Sequence, residues 1–138
     1  MRTFSNFIKL ILGSVGGALG CLVGGFNSMI YALIAFVVID YITGVLVAIL
    51  EKKLSSEIGF KGISKKIMLF LIVALGHIID KYIIGTGSAL RTMLIMFYLS
   101  NEGISIIENA GKIGLPIPSK LINVLKQFSE NNDNKTSW

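Results

Sequence analysis

Hydrophobic residues fall into four long runs separated by short polar stretches. Residues 28–50 form the strongest run, and as helix it extends about 34 Å, enough to cross a hydrocarbon core of about 30 Å. Residues 66–84 and 88–110 form two further runs, and residues 7–26 a fourth that is rich in glycine. Beyond Gly111 the chain reads GKIGLPIPSKLINVLKQFSE. Gly114, Pro116 and Pro118 stop the preceding helix. Ile117, Leu121, Leu125 and Phe128 then recur at helical spacing opposite Lys120, Asn123, Lys126 and Gln127. The pattern predicts an all-α integral membrane protein, a bundle of about four transmembrane helices plus a short C-terminal amphipathic helix, assembling as a homo-oligomer. Residues 1–26 are expected to be an N-terminal helix and first span. Residues 27–110 form a core of three spans (28–50, 66–84 and 88–110) with a basic cytoplasmic loop at 51–65. Residues 111–130 give a Pro-led amphipathic cytoplasmic helix and 131–138 a disordered tail.

Composition sharpens this picture. Only 15% of the 138 residues are charged and 53% are hydrophobic, against about 25% charged in a soluble domain, and the mean hydropathy is +0.73. No room remains for a separate soluble catalytic domain. With four spans and both ends inside, all of the 13 basic residues except Lys81 and Arg91 lie on the inner side, a strong bias under the positive-inside rule. The expected location is a bacterial cytoplasmic membrane with both termini cytoplasmic. Lys52, Lys53, Lys61, Lys65, Lys66, Lys120 and Lys126 flank apolar runs, so they point to anionic lipid headgroups and away from nucleic acid. The single cysteine, Cys21, excludes an intrachain disulfide framework and a multi-cysteine metal site, and the first segment is expected to be retained.

The informative departures are polar residues inside apolar runs. Asp40, His77 and Glu102 each interrupt a span near its centre, where an ionisable side chain costs about 2.5–3.5 kcal/mol on insertion scales unless something satisfies it. That depth is expected to hold two carboxylates and no Lys or Arg, so at least one should be protonated or bonded to His77. Asp40, Thr43, Gly44 and Val47 follow a helical face. Asn101, Ser105, Glu108 and Lys112 make a second stripe, overlapped by Glu102 and Asn109, while Gly76, His77, Asp80 and Lys81 cluster near the outer end. These residues either bond to one another inside a closed bundle or line a water-filled space once subunits rearrange. No enzyme motif, cofactor site or metal-ligand cluster is recognisable.

The first segment carries two ridges of small residues, Gly13, Gly17, Cys21 and Gly25, and Gly16, Gly20 and Gly24. Such ridges let a neighbouring backbone approach closely, which makes these glycines candidates for self-association. Tight packing within one subunit is the alternative.

From Tyr31 to Phe128 the sequence resembles the bacteriophage holins of the toxin-secretion and phage-lysis type. The resemblance rests on Asp40-Tyr41-Ile42-Thr43-Gly44, on Ser55-Ser56, Gly62 and Lys65-Lys66, and on Asp80 and Arg91. It continues through Phe97-Tyr98, Asn101-Glu102, Ser105 and Glu108-Asn109 to Gly114-Leu115-Pro116-Ile117-Pro118. It implies a non-enzymatic protein, needing no cofactor, that accumulates in the membrane and then assembles with itself into large non-selective lesions. An endolysin or a signal-less toxin then passes through without needing to be bound. Asp40, Thr43, His77, Asp80, Glu102, Ser105, Glu108 and Asn109 become candidates for lining or triggering the lesion. A selective channel or transport subunit, or a structural membrane partner that docks through residues 52–66 and 121–128, are the alternatives.

Overall fold

The computed structural model describes the backbone of residues 1–136 and the side chains of residues 1–127. All regular structure among the described residues is helical: α1 (Arg2–Leu22), α2 (Ser28–Leu50), α3 (Ser56–Ile78, running on as a π-helical turn Ile79–Ile84), α4 (Ala89–Ile113) and α5 (Ser119–Thr136).

Local chemistry sets the helix starts. Asn27 Oδ1 accepts the Ile30 amide at 3.0 Å and Ser55 Oγ the Ile58 amide at 3.2 Å, each satisfying an orphan donor of a first turn. Glu57 adds a negative charge at the positive end of α3. With that start, α3 begins ten residues before the expected span at 66. The expected loop 51–65 shrinks to a turn, and Lys61, Lys65 and Lys66 ride on the helix.

Helix α4 has no cap from its own Ser88. Asp80 supplies one from the preceding helix, its two oxygens accepting the Leu90 and Arg91 amides at 3.2 and 2.9 Å. Asp80, expected near the outer end, is 1% exposed, because its carboxylate turns inward to meet those two donors. Gly85, at φ +88°, closes the π turn by donating to Asp80 O at 2.9 Å.

The apolar core lies between these caps and the bundle's middle. Ile30, Leu33 and Val37 of α2 meet Leu69 and Val73 of α3 and Ile95 of α4. Gly76 permits the tight crossing of α3 and α4, since a Cβ there would stand 2.5 Å from Leu94 Cδ1 and 3.5 Å from the Arg91 nitrogen.

Helix α1 hangs from the bundle by its C-terminal end, and Gly20 is its one buried residue. Arg91, counted from sequence as an outer flanking charge, is 4% exposed. Its guanidinium donates through Nε to Val23 O and through Nη2 to Gly25 O, the latter at 2.9 Å. Gly24 and Gly25 adopt φ of +93° and +91°, so they form the turn after α1 and not part of its ridges. A Cβ on Gly24 would sit 2.6 Å from Arg91 Nε and 2.7 Å from His77 Nδ1. Gly13, Gly16 and Gly17 face open space.

Among the described residues three helices are long and apolar enough to cross a membrane: α1, α2 and α3 with its π turn. The fourth expected span coincides with α4, whose Arg91, Asn101, Glu102 and Glu108 keep it outside that set. The C-terminal helix also departs from expectation. After a left-handed cap at Gly114 (φ +97°), α5 turns back and packs along α4, without contact to α3 among the described residues. Gly103 opens the notch that receives it: a Cβ there would meet Leu125 Cδ2 at 2.9 Å and Phe36 Cε2 at 3.3 Å. The helical backbone continues to Thr136, into the stretch expected as a disordered tail, because an established helix propagates cheaply through polar residues. The Phe128 side chain and residues 137–138 lie outside the described residues.

Asp80→Ala is expected to lower the unfolding free energy in detergent micelles by about 1 kcal/mol, the usual cost of losing a helix cap. Asp80→Asn, which keeps one acceptor, should lose less. Circular dichroism during an SDS titration reads both.

Candidate functional site

Helices α2, α3 and α4 converge on one polar cluster. Asp40 and Glu102 are 7% and 8% exposed, and between them lies the Lys66 ammonium. Lys66 Nζ donates to Asp40 Oδ2 and, at 2.6 Å, to Glu102 Oε2. Asp40 Oδ1 also accepts from Asn109 Nδ2 at 3.2 Å, and the same amide donates to Thr43 Oγ1 at 3.0 Å. Thr43 in turn donates to the carbonyls of Ile39 and Asp40 at 2.9 and 3.0 Å. Each of three helices therefore contributes one ionisable side chain, and a fourth residue locks Asp40 to α4.

Helix geometry explains the meeting. Asp40 precedes the end of α2 by ten residues, Lys66 follows the start of α3 by ten, and Glu102 precedes the end of α4 by eleven. At 1.5 Å per residue all three lie about 15 Å from the same end of the bundle. Gly59 and Gly62 share a helical face with Lys66, and Tyr41 packs over them, its ring 3.5 Å from where a Gly62 Cβ would stand. Those two missing side chains bring α2 close enough for Lys66 to reach Asp40. Beside the cluster a cavity of about 230 Å³, bordered by Tyr41, Gly44 and Ser105, opens toward the turn between α2 and α3.

Two carboxylates outnumber one ammonium, so the cluster holds either one net negative charge or one bound proton. Burial makes an unpaired charge costly, and breaking such a pair from one side commonly costs several kcal/mol.

The cluster gathers Asp40, Thr43, Glu102 and Asn109 from among the residues singled out by sequence, with Ser105 at its edge. Glu108 remains exposed. His77 is not part of it. Eleven residues beyond Lys66 on α3, about 16 Å further along, His77 borders Gly24 and Arg91. Asp80 is likewise committed to capping α4. Lys66, expected to face lipid headgroups, is the partner that sequence reasoning missed. The signal was present in Ser55-Ser56-Glu57, a helix start that puts Lys66 on a helix at the depth of both acids.

Lys66→Met should leave two buried carboxylates facing each other and destabilise the fold by about 3–5 kcal/mol. Adding Asp40→Asn and Glu102→Gln to it should recover much of that loss. Thermal unfolding in micelles compares the three proteins, and a Lys66→Met variant as stable as the parent would show that the cluster does not hold the helices together.

Comparison with known proteins now bears on the chain. Residues 17–130 match the model of the bacteriophage holin family. An uncharacterized 14.9 kDa protein of Clostridium perfringens is 35% identical over 94% of this chain and 98% of its own length. An uncharacterized protein of Listeria monocytogenes is 43% identical over 86% of this chain and 83% of its own. A probable holin of Bacillus phage phi105 is 37% identical over 72% of this chain and 73% of its own. No solved structure matches. With the family match spanning most of the sequence, and with apolar helices built around a buried charge cluster, this chain belongs to the bacteriophage holin family.

Proposed function

We propose that the protein accumulates in a bacterial cytoplasmic membrane as closed subunits, then assembles with itself into large non-selective lesions that release an endolysin or a signal-less toxin. The observation that carries this reading is the Asp40–Lys66–Glu102 cluster. It satisfies within one subunit the charges that would otherwise meet lipid, so a single copy can reside in the bilayer without harm. The outward faces of α1, α2 and α3 are lined with exposed Phe, Ile, Leu and Val, as lipid contact requires. Between the cluster and the Asp80–Arg91 end the interior is filled by Ile30, Leu33, Val37, Val73 and Ile95. One subunit thus offers no continuous polar path, and passage of a folded protein calls for many copies. The same packing disfavours a selective channel within a single bundle.

Lys52, Lys53, Lys61 and Lys65 support a reading in which the turn between α2 and α3 faces the cytoplasm. The open ridge of Gly13, Gly16 and Gly17 on α1 is the surface offered for contact between copies.

Expressed alone in a bacterium, the protein should give a silent interval and then abrupt escape of a folded cytosolic enzyme together with potassium and a small dye. Potassium loss with the enzyme retained would instead indicate a narrow channel. Asp40→Asn and Glu102→Gln each alter the charge that Lys66 neutralises, and each should shift the onset. Unchanged timing in both would remove the cluster from the trigger.

A further inference from the structure

The C-terminal helix sits where a flat cytoplasmic helix should not. Leu125 fills the notch at Gly103, one residue from Glu102 and about 15 Å from the end of α4. Ile122 and Leu125 are half-buried, while Asn123, Lys126 and Gln127 stay exposed. A lipid-facing polar helix at this depth is unfavourable, so the flank of α4 that carries α5 belongs to water or protein. Gly103 is also a buried small residue in the middle of α4, where another helix could approach closely. While α5 covers it, none can.

The linker is built for release. Gly114 takes a left-handed conformation that ends α4, and Pro116 and Pro118 lack the amide hydrogens that would tie residues 115–118 into either helix. Among the described residues the backbone of α5 lies against α4 and against no other helix, so it can leave without unpacking α3 or the charge cluster.

We propose that α5 is a latch: seated on Gly103 within its own subunit, it occupies the face of α4 that a second copy of this chain needs, and it swings away about residues 114–118 when copies assemble. This rests on the holin reading for its consequence, though not for its geometry.

A Cys21→Ser background carrying Gly103→Cys and Leu125→Cys tests it. Diamide should form a disulfide within one chain, hold the protein as a monomer in chemically crosslinked membranes, and cut release of a folded cytosolic enzyme at least tenfold over the normal interval. A reductant should restore both the oligomer ladder and the release, and neither single-cysteine variant should form the intrachain disulfide or lose its oligomer ladder under the same oxidant. Leu125→Ala, which empties the notch, should bring the onset forward. Absence of the intrachain disulfide, or an unchanged oligomer ladder with the disulfide in place, would overturn the latch. If the ladder responds to the disulfide but no variant ever releases the enzyme, the latch stands and the holin reading fails.

Discussion

The structure depends on one ammonium group placed between two carboxylates. Lys66 is the shared partner of Asp40 and Glu102, and each of the three comes from a different helix. In a low-dielectric interior, charges of opposite sign attract strongly and isolated ones are penalised heavily. No one of the three helices can shift by a turn without leaving a charge unpaired. The cluster therefore fixes the relative depth of α2, α3 and α4, a task that apolar side chains perform poorly where lipid is as apolar as leucine. Asn109 and Thr43 tighten the same joint from the side of the turn between α2 and α3.

Above the cluster the remaining features follow. Once the three helices share a level, Ile30, Leu33, Val37, Leu69, Val73 and Ile95 meet as one core. At the far end Asp80 caps α4 and Arg91 holds the turn after α1 through Val23 and Gly25. The two oppositely charged side chains do their work separately, each bonding backbone groups at a helix end where the macrodipole favours its sign. Helices α1 and α5 are attached more lightly, α1 by its last turn and α5 by the Gly103 notch. In a firm three-helix centre with two appended helices, the appended parts can move while the centre stays satisfied.

Much of this was legible in the chain. Helix-length apolar runs separated by polar turns announced the bundle, Asp40 and Glu102 announced a buried polar site, and the ordered series from Asp40-Tyr41 to Pro118 pointed to the holin family. The amphipathic spacing of Leu121 and Leu125 announced α5 as a helix. Apolarity along the chain is a local property, and so is the capacity of Ser55 or Asn27 to start a helix. A sequence carries such properties without reference to the fold.

Pairing and direction are not local. Lys66 reads as a flanking lysine until Ser55 caps α3 and Gly59 and Gly62 let α2 come close; only then does its ammonium reach Asp40. His77 reads as the natural partner for a carboxylate until the 1.5 Å rise of the helix carries it to the Arg91 end. Nothing in the spacing of Leu125 says that it will find Gly103, because the notch exists only when α2 supplies Phe36 behind it. The sequence by itself determined which segments are helices, which of them tolerate lipid, and which residues must be shielded from it. Tertiary structure alone decided what shields them, because a partner is chosen by depth and distance across helices far apart in the chain.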